Sequence, residues 1–296
     1  MTGPRSQTRL PVPQPFAAGE LLTFLAAHVV PGVEDVAGTV VTSTVAAPGG
    51  PAVVRMDVAD RHVDVRWEAT DAVDGLWLLA RVEELLDLHV DPVAIDTALS
   101  TDPLLAPLVE QRPGLRVPGT LDVGATAVRT VVGQQISVTG AATVLGRMAA
   151  EHGQRCGLPL ARQAGLDRLF PSAETLAEVD PETLPMPRSR GRTVVGLAAA
   201  LADGRVRLGP REDRADVRRD LLALHGVGPW TADYVLMRGT GDPDVLLTTD
   251  LVLRRGLERR GLAPAATARW SPWRSYAGMH LWLADVPALA RGEDHR

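Results

Sequence analysis

Apolar and polar residues alternate over two valine-rich stretches, Ala52–Val58 and Arg61–Glu68, and a period of two marks half-buried β-strands. Ala59-Asp60 between them has the length of a tight hairpin turn. Ala47-Pro48-Gly49-Gly50-Pro51 is turn chemistry leading back to a third strand-like run, Thr39–Ala46. Helical spacing brackets these strands. Residues 19–29 read as a helix stopped by Pro31-Gly32, and residues 71–88 put Leu76, Leu79, Val82 and Leu86 on one stripe. A shorter helix follows around Asp91–Leu99, and residues 1–18 are Pro-rich and extended. The first third thus reads as α+β around a small antiparallel sheet.

Beyond Arg112-Pro113-Gly114-Leu115-Arg116-Val117-Pro118-Gly119 the alternation disappears. Helical segments follow at 122–133, 136–152, 172–179, 189–203, 213–224, 230–238, 250–260 and 273–287, punctuated by Gly and Pro. This predicts an all-helical domain with short connections. A boundary near residue 118 divides the chain into residues 1–118 and 119–296, in keeping with roughly 100–200 residues per domain.

Composition narrows the chemistry. With 45% hydrophobic and 23% charged residues the chain can bury a core, so disorder is not expected. No apolar run approaches the roughly 18–20 residues that span a bilayer, so no membrane partner is expected. The start runs into Pro-rich sequence, and no signal peptide is expected. A single cysteine, Cys156, excludes a disulfide within the chain and any zinc site or iron–sulfur cluster held by four cysteines. All 31 basic residues are arginine, so no lysine side chain can form a Schiff base. The net charge of −5 is unevenly spread: residues 1–110 carry −10 and residues 188–260 carry +4. That asymmetry fits either a solvated arginine surface or a local face for an anionic partner.

The most informative segment is Leu224-His225-Gly226-Val227-Gly228-Pro229-Trp230-Thr231, where one helix runs into a glycine turn and another leaves it. Gly226 and Gly228 allow positive φ and close backbone approach, Val227 can plug the seam, and Pro229 suits the first helical turn. The new helix points unpaired N–H groups outward, as an anion site requires. The same pattern fits a plain αα-hairpin. Further on, Asp250 precedes an apolar-periodic helix at a natural N-cap, where the helix dipole favours negative charge. Capping alone would account for it. Trp230 and Tyr234, four residues apart, share a helix face and suit core packing equally well.

Taken together, His225-Gly226-Val227-Gly228-Pro229-Trp230 through Asp250 resembles the helix-hairpin-helix DNA glycosylases, and more narrowly the AlkA family of DNA-3-methyladenine glycosylase II. The likeness extends to the 112–119 joint, to Val128-Arg129-Thr130-Val131-Val132-Gly133-Gln134-Gln135-Ile136-Ser137-Val138, and to Trp273-Arg274-Ser275-Tyr276-Ala277-Gly278-Met279-His280-Leu281-Trp282. It covers residues 15–287, with the hairpin at about 213–238.

The resemblance implies hydrolysis of the N-glycosidic bond of an alkylated purine in duplex DNA, with no cofactor, by a cytoplasmic bacterial enzyme; a monomer is the default expectation. It places the catalytic carboxylate at Asp250 and the base pocket at Trp230, Tyr234, Trp282 and Phe24. It assigns DNA contacts to Gly226, Val227, Gly228, Thr231, Gln134 and Gln135, and a monovalent cation to the carbonyls of Leu224 and Val227. Bifunctional relatives carry a lysine within the hairpin helix; this chain has Trp230 near that position and no lysine anywhere, which implies no strand cleavage. Two departures stand out: polar Gln135 occupies the wedge position, and Leu283 stands where a second aromatic is familiar. A non-catalytic damage-recognition protein on the same fold is the alternative.

Overall fold

The computed structural model describes residues 5–209 and 211–285. The three expected strands form as β3 (Val40–Ala47), β4 (Gly50–Val58) and β5 (His62–Ala69), and two edge strands join them. These are β1 (Arg5–Pro11) and β2 (Glu34–Ala37), and the antiparallel order is β1-β5-β4-β3-β2. Both edges were illegible from alternation. β1 is polar and mostly exposed and is held by its register on β5, Arg5 opposite Glu68 to Pro11 opposite His62, while β2 has four residues. The β4–β5 connection is Ala59–Arg61, one residue longer than the two-residue turn expected.

Helix α1 (Ala18–Ala27) precedes the sheet proper and α2 (Asp74–Leu85) follows it. The buried stripe of α2 is Leu78, Val82 and Leu85; Leu76, expected on that stripe, is 82% exposed. Starting the stripe at 78 keeps i, i+4, i+7 spacing, and it is this face that meets the apolar side of the sheet at Val54, Met56, Val63 and Val65.

The helices after residue 90 are α3 (Pro92–Leu99), α4 (Ala106–Gln111), α5 (Val123–Val132), α6 (Val138–His152), α7 (Pro159–Gln163), α8 (Ala173–Ala177) and α9 (Arg188–Ala202). They continue with α10 (Arg214–Leu222), α11 (Pro229–Gly239), α12 (Leu251–Arg259), a 3-10 turn at Pro264–Trp270, and α13 (Arg274–Asp285). The tail of the helix expected over 273–287 lies outside the described residues. Among the described residues no helix is long and apolar enough to cross a membrane. Helix starts were legible because short polar side chains cap them: Asp91, Asp122, Ser137, Ser172, Asp213 and Asp250 each accept a first-turn N–H.

The large helical cores are two. One joins α5, α6, α9, α10 and α11 around Val131, Met148, Leu197 and Val235. The other draws on distant stretches, uniting Phe24, Ile95, Leu105 and Leu115 with Leu253, Leu257, Tyr276 and Leu281. The 112–119 segment ties these to the sheet. Buried Arg116 donates to the carbonyls of Pro13 (2.7 Å) and Pro15 (3.2 Å). Gly114 sits at φ +72° with space for a Cβ blocked by the Pro15 carbonyl at 2.1 Å, so glycine is required there.

His280 on α13 is 1% exposed, and both ring nitrogens are sealed from solvent. Burial, helped by Arg112, pushes it down to about 4. A histidine depressed in the fold contributes stability above its unfolded value near 6.5, and loses it as pH falls toward the folded value. We expect His280→Leu to remove about 2 kcal/mol of the stability lost by wild type between pH 7.5 and pH 5, seen in urea melts at the two pH values. Parallel pH slopes in the two proteins would refute this.

Candidate active site

Three helices converge on one carboxylate. Asp250 caps α12, its Oδ1 accepting from the backbone N–H of Val252 and Leu253, each at 3.0 Å. The same oxygen accepts the indole N–H of Trp282 on α13 at 2.9 Å. Oδ2 accepts the indole N–H of Trp230 on α11 at 3.0 Å. Capping and the aromatic residues are therefore parts of one arrangement, and the side chain is held against rotation from four directions. Oδ2, with one donor, keeps acceptor capacity to spare.

The aromatic residues form a continuous wall. Trp230 stacks on Tyr234 with centroids 5.2 Å apart, and Tyr234 meets Trp282 at 6.4 Å. They line a cleft of about 420 Å³, together with Asp250, Phe24 and Leu283. Phe24 is placed as expected, but the protein itself engages its ring: His28 stacks on it at 4.2 Å, and the Arg238 guanidinium lies 4.7 Å from its centre.

Two lining residues escaped the sequence reading. Arg238 donates to the carbonyls of Pro118 and Gly119, each at 2.7 Å, and to the Tyr234 hydroxyl at 3.3 Å. His28 stands at the end of α1, its Nδ1 2.8 Å from the Phe24 carbonyl. Both were reachable by helical spacing, since Arg238 lies four residues beyond Tyr234 and His28 four beyond Phe24. Behind them Arg129 pairs with Glu34 at 2.7 Å and donates to the His28 carbonyl at 2.6 Å.

The glycine hairpin lies between α10 and α11. Gly226 adopts φ +81°, and a Cβ there would sit 2.0 Å from the Thr193 hydroxyl. Gly228 does not use the positive φ that glycine allows: it is extended at φ −99°, ψ 177°, with open space around it. Val227 is buried in the helical core, as a plug would be. Thr231 is 2% exposed, and its hydroxyl accepts from the Gln134 amide at 2.8 Å. Gln134 also donates to the Gly226 carbonyl at 3.2 Å, tying the end of α5 to the hairpin. The Leu224 carbonyl already accepts the Val227 N–H at 3.2 Å. Gln135 is exposed at φ +57°, one of two non-glycine residues at positive φ among the described residues, and Ile136 beside it is 38% exposed on the rim of the cleft.

Most arginines of residues 188–260 are paired with carboxylates of the protein itself. Arg218 pairs with Asp233, Arg214 with Asp242, and Arg259 and Arg260 with Asp285. Arg190, Arg207 and Arg255 have no carboxylate at ion-pair distance among the described residues.

Comparison with known proteins bears on this geometry. Residues 7–122 match the AlkA N-terminal domain family. The chain is 31% identical over 285 residues to DNA-3-methyladenine glycosylase 2 of Escherichia coli K12, covering 92% of this chain and 95% of that protein. It is 43% identical over 282 residues to the "Probable bifunctional transcriptional activator/DNA repair enzyme AlkA" of Mycobacterium tuberculosis. That match covers 93% of this chain but 56% of the relative, so the chain spans little more than half the relative's length. The fold superposes on a solved 3-methyladenine DNA glycosylase from Archaeoglobus fulgidus with a TM-score of 0.79 at 19% identity, covering 94% of this chain and 98% of that one.

The two hairpin glycines differ in what they demand, and melting temperatures should separate them. Gly226→Ala should cost about 1–3 kcal/mol, from positive φ and the Thr193 contact. Gly228→Ala should lower the melting temperature clearly less, because only the N-cap preference for glycine over alanine is lost. Equal losses at both positions would contradict the geometry.

Proposed function

The chain belongs to the DNA-3-methyladenine glycosylase 2 family, and from that premise we propose that it is a monofunctional DNA glycosylase. It flips an alkylated purine of the 3-methyladenine or 7-methylguanine type out of duplex DNA and hydrolyses its N-glycosidic bond, in base excision repair. The observation that carries this is the Asp250 carboxylate, clamped by two backbone and two indole N–H groups at the wall of an aromatic cleft. A protein that only bound damaged DNA would have no use for an immobilised carboxylate beside the base.

An N3- or N7-alkylated purine is cationic and leaves readily, so protonation of the leaving base matters little. What the reaction needs is stabilisation of the oxocarbenium character that grows on the sugar as the bond breaks. A pre-oriented carboxylate provides it without reorganising at the moment of reaction. The spare capacity of Oδ2 orients the attacking water. Stacking on the aromatic wall, at roughly 1–3 kcal/mol per base, offsets much of the few kcal/mol needed to flip a base weakened by damage. No lysine is available in this sequence to form an imine with the abasic sugar.

The hairpin holds the DNA. The first-turn N–H groups of Trp230 and Thr231 have no intrahelical partner, and the space around Gly228 lets a phosphate reach them. The Leu224 carbonyl keeps its second lone pair for a monovalent cation shared with Val227. At the rim Gln135 enters the gap left by the flipped base. A positive φ in a non-glycine residue costs of order 1–3 kcal/mol and persists where function holds it.

Asp250→Asn tests the central claim. Its amide nitrogen, replacing Oδ2, would face the Trp230 N–H donor to donor. We expect base release from methylated duplex to fall about a hundredfold or more, with binding to an abasic-site analogue retained. High-performance liquid chromatography of released bases measures the first, and borohydride treatment of wild type should trap no enzyme–DNA adduct. Near-normal turnover by the Asn variant would overturn the mechanism.

Gly228→Val tests the grip. Extended geometry accepts valine, but the side chain fills the space a phosphate needs. Affinity should fall for damaged and undamaged duplex alike, with the log–log salt slope changing by much less than the roughly 0.9 that marks loss of a cationic phosphate contact. If only lesion recognition were lost, the hairpin would belong to the pocket instead.

A further inference from the structure

His28 brings an unused hydrogen-bonding atom to the cleft. It sits at the C-terminal end of α1, stacked on Phe24, and lines the same cavity as Trp230, Tyr234 and Asp250. Its Nδ1 is 2.8 Å from the Phe24 carbonyl oxygen. A carbonyl can only accept, so Nδ1 carries the hydrogen. In the neutral ring Nε2 is then a bare lone pair, an acceptor and never a donor. Nε2 makes no hydrogen bond among the described residues, yet it is not sealed from solvent.

The surroundings keep the ring in that state. Burial pushes His28 down to about 4, with the cationic Arg238 and Arg129 acting in the same direction. The ring is also immobile. Phe24 fixes its plane, and the Arg129 guanidinium holds the backbone carbonyl of His28 at 2.6 Å while pairing with Glu34. A fixed acceptor must find a donor on any occupant that displaces its water or stay unpaired, and the unpaired state is penalised.

We propose that His28 is a specificity-determining residue, whose Nε2 accepts a hydrogen bond from an N–H of the flipped base. The proposal rests on the glycosylase reading and deepens it. The class of base favoured is one that carries an exocyclic amine or a ring N–H away from the sugar. Both 3-methyladenine and 7-methylguanine do. A base such as 1,N6-ethenoadenine, with only C–H groups and bare nitrogens on those edges, leaves the Nε2 lone pair dry. Discrimination comes from the acceptor left unpaired by the wrong base, the asymmetry by which polar pockets reject analogues that lack a donor.

The test uses the whole chain with two variants. His28→Phe keeps a stacking ring but removes the acceptor, and His28→Gln can present its amide oxygen where Nε2 stood. On duplex carrying 7-methylguanine, His28→Phe should lose about tenfold in kcat/KM, and His28→Gln should recover most of it. Affinity for a duplex with an abasic-site analogue, which contains no base, should be the same in all three proteins. In the second arm, tryptophan fluorescence follows binding of the free bases to the complex with that abasic duplex. His28→Phe should bind 7-methylguanine about tenfold more weakly than wild type, and ethenoadenine more tightly, because the acceptor that ethenoadenine leaves unpaired is gone. Equal treatment of 7-methylguanine by wild type and His28→Phe would overturn the proposal. So would a loss that extends equally to ethenoadenine or to the abasic duplex, because that is the mark of a structural role. If wild type released no base from methylated DNA, the glycosylase reading would fail, and the binding arm would still judge His28 by itself.

Discussion

A carboxylate that accepts four N–H groups from three helices constrains where those helices can lie. The α12 backbone supplies two donors, α11 supplies Trp230 and α13 supplies Trp282. Hydrogen bonds to a charged acceptor contribute roughly 1.5–3 kcal/mol each, more than neutral ones. Behind the site Leu253, Leu257, Met237 and Leu281 pack into one core, so apolar burial and the polar cluster favour the same helix crossings. Removing Trp230 would leave Oδ2 without its donor, removing Trp282 would leave Oδ1 to the backbone alone, and removing Asp250 would leave two indole N–H groups without their acceptor.

The second wall of the cleft depends on the joint between sheet and helices. Arg238 reaches from α11 to the carbonyls of Pro118 and Gly119, and its guanidinium lies over Phe24, which comes from α1. Gly119 has no room for a side chain because the Glu84 carbonyl would lie 2.2 Å from its Cβ. The joint is thus pressed against the end of α2 while it anchors the arginine that positions Phe24. A change at 114 or 119 would reach the base cleft through this chain of contacts without touching it directly.

Much of this was legible in the sequence, because local chemistry specified it. Strands β4 and β5 showed their period of two, β3 was legible as a strand-like run beyond a Pro-Gly turn, and the capped helices announced their starts. The i, i+4 pair Trp230 and Tyr234 does stack on one face. Asp250 could be read as a cap, and it is one. The edge strands were not legible, because β1 is fixed by pairing across more than fifty residues and carries little apolar pattern of its own. Which hairpin glycine uses positive φ was not legible either: glycine permits it without requiring it, and only the fold gives it to Gly226 and leaves Gly228 extended. Arg238 and His28 were missed because charge and periodicity were read separately. An arginine on an aromatic stripe looks like a surface residue until the joint carbonyls that hold it are in place.

The electrostatics of the cleft are less simple than an electron-rich box for a cation. Arg129 and Arg238 both line it. Glu34 neutralises the first, while the second is held by two carbonyls and lies over Phe24 and Tyr234, so the protein's own cation already draws on those two rings. The tryptophans stand differently. Each donates its indole N–H to Asp250, and a donor engaged with an anion is polarised so that negative charge shifts onto its ring. Cation–π attraction grows with the negative potential on the ring face. For the proposed cationic base the carboxylate would therefore act twice, directly as an anion of the cleft wall and through two indoles that it makes more electron-rich. The aromatic wall and the carboxylate are one electrostatic unit, which is why the residues proposed to grip the base are also the ones that hold Asp250.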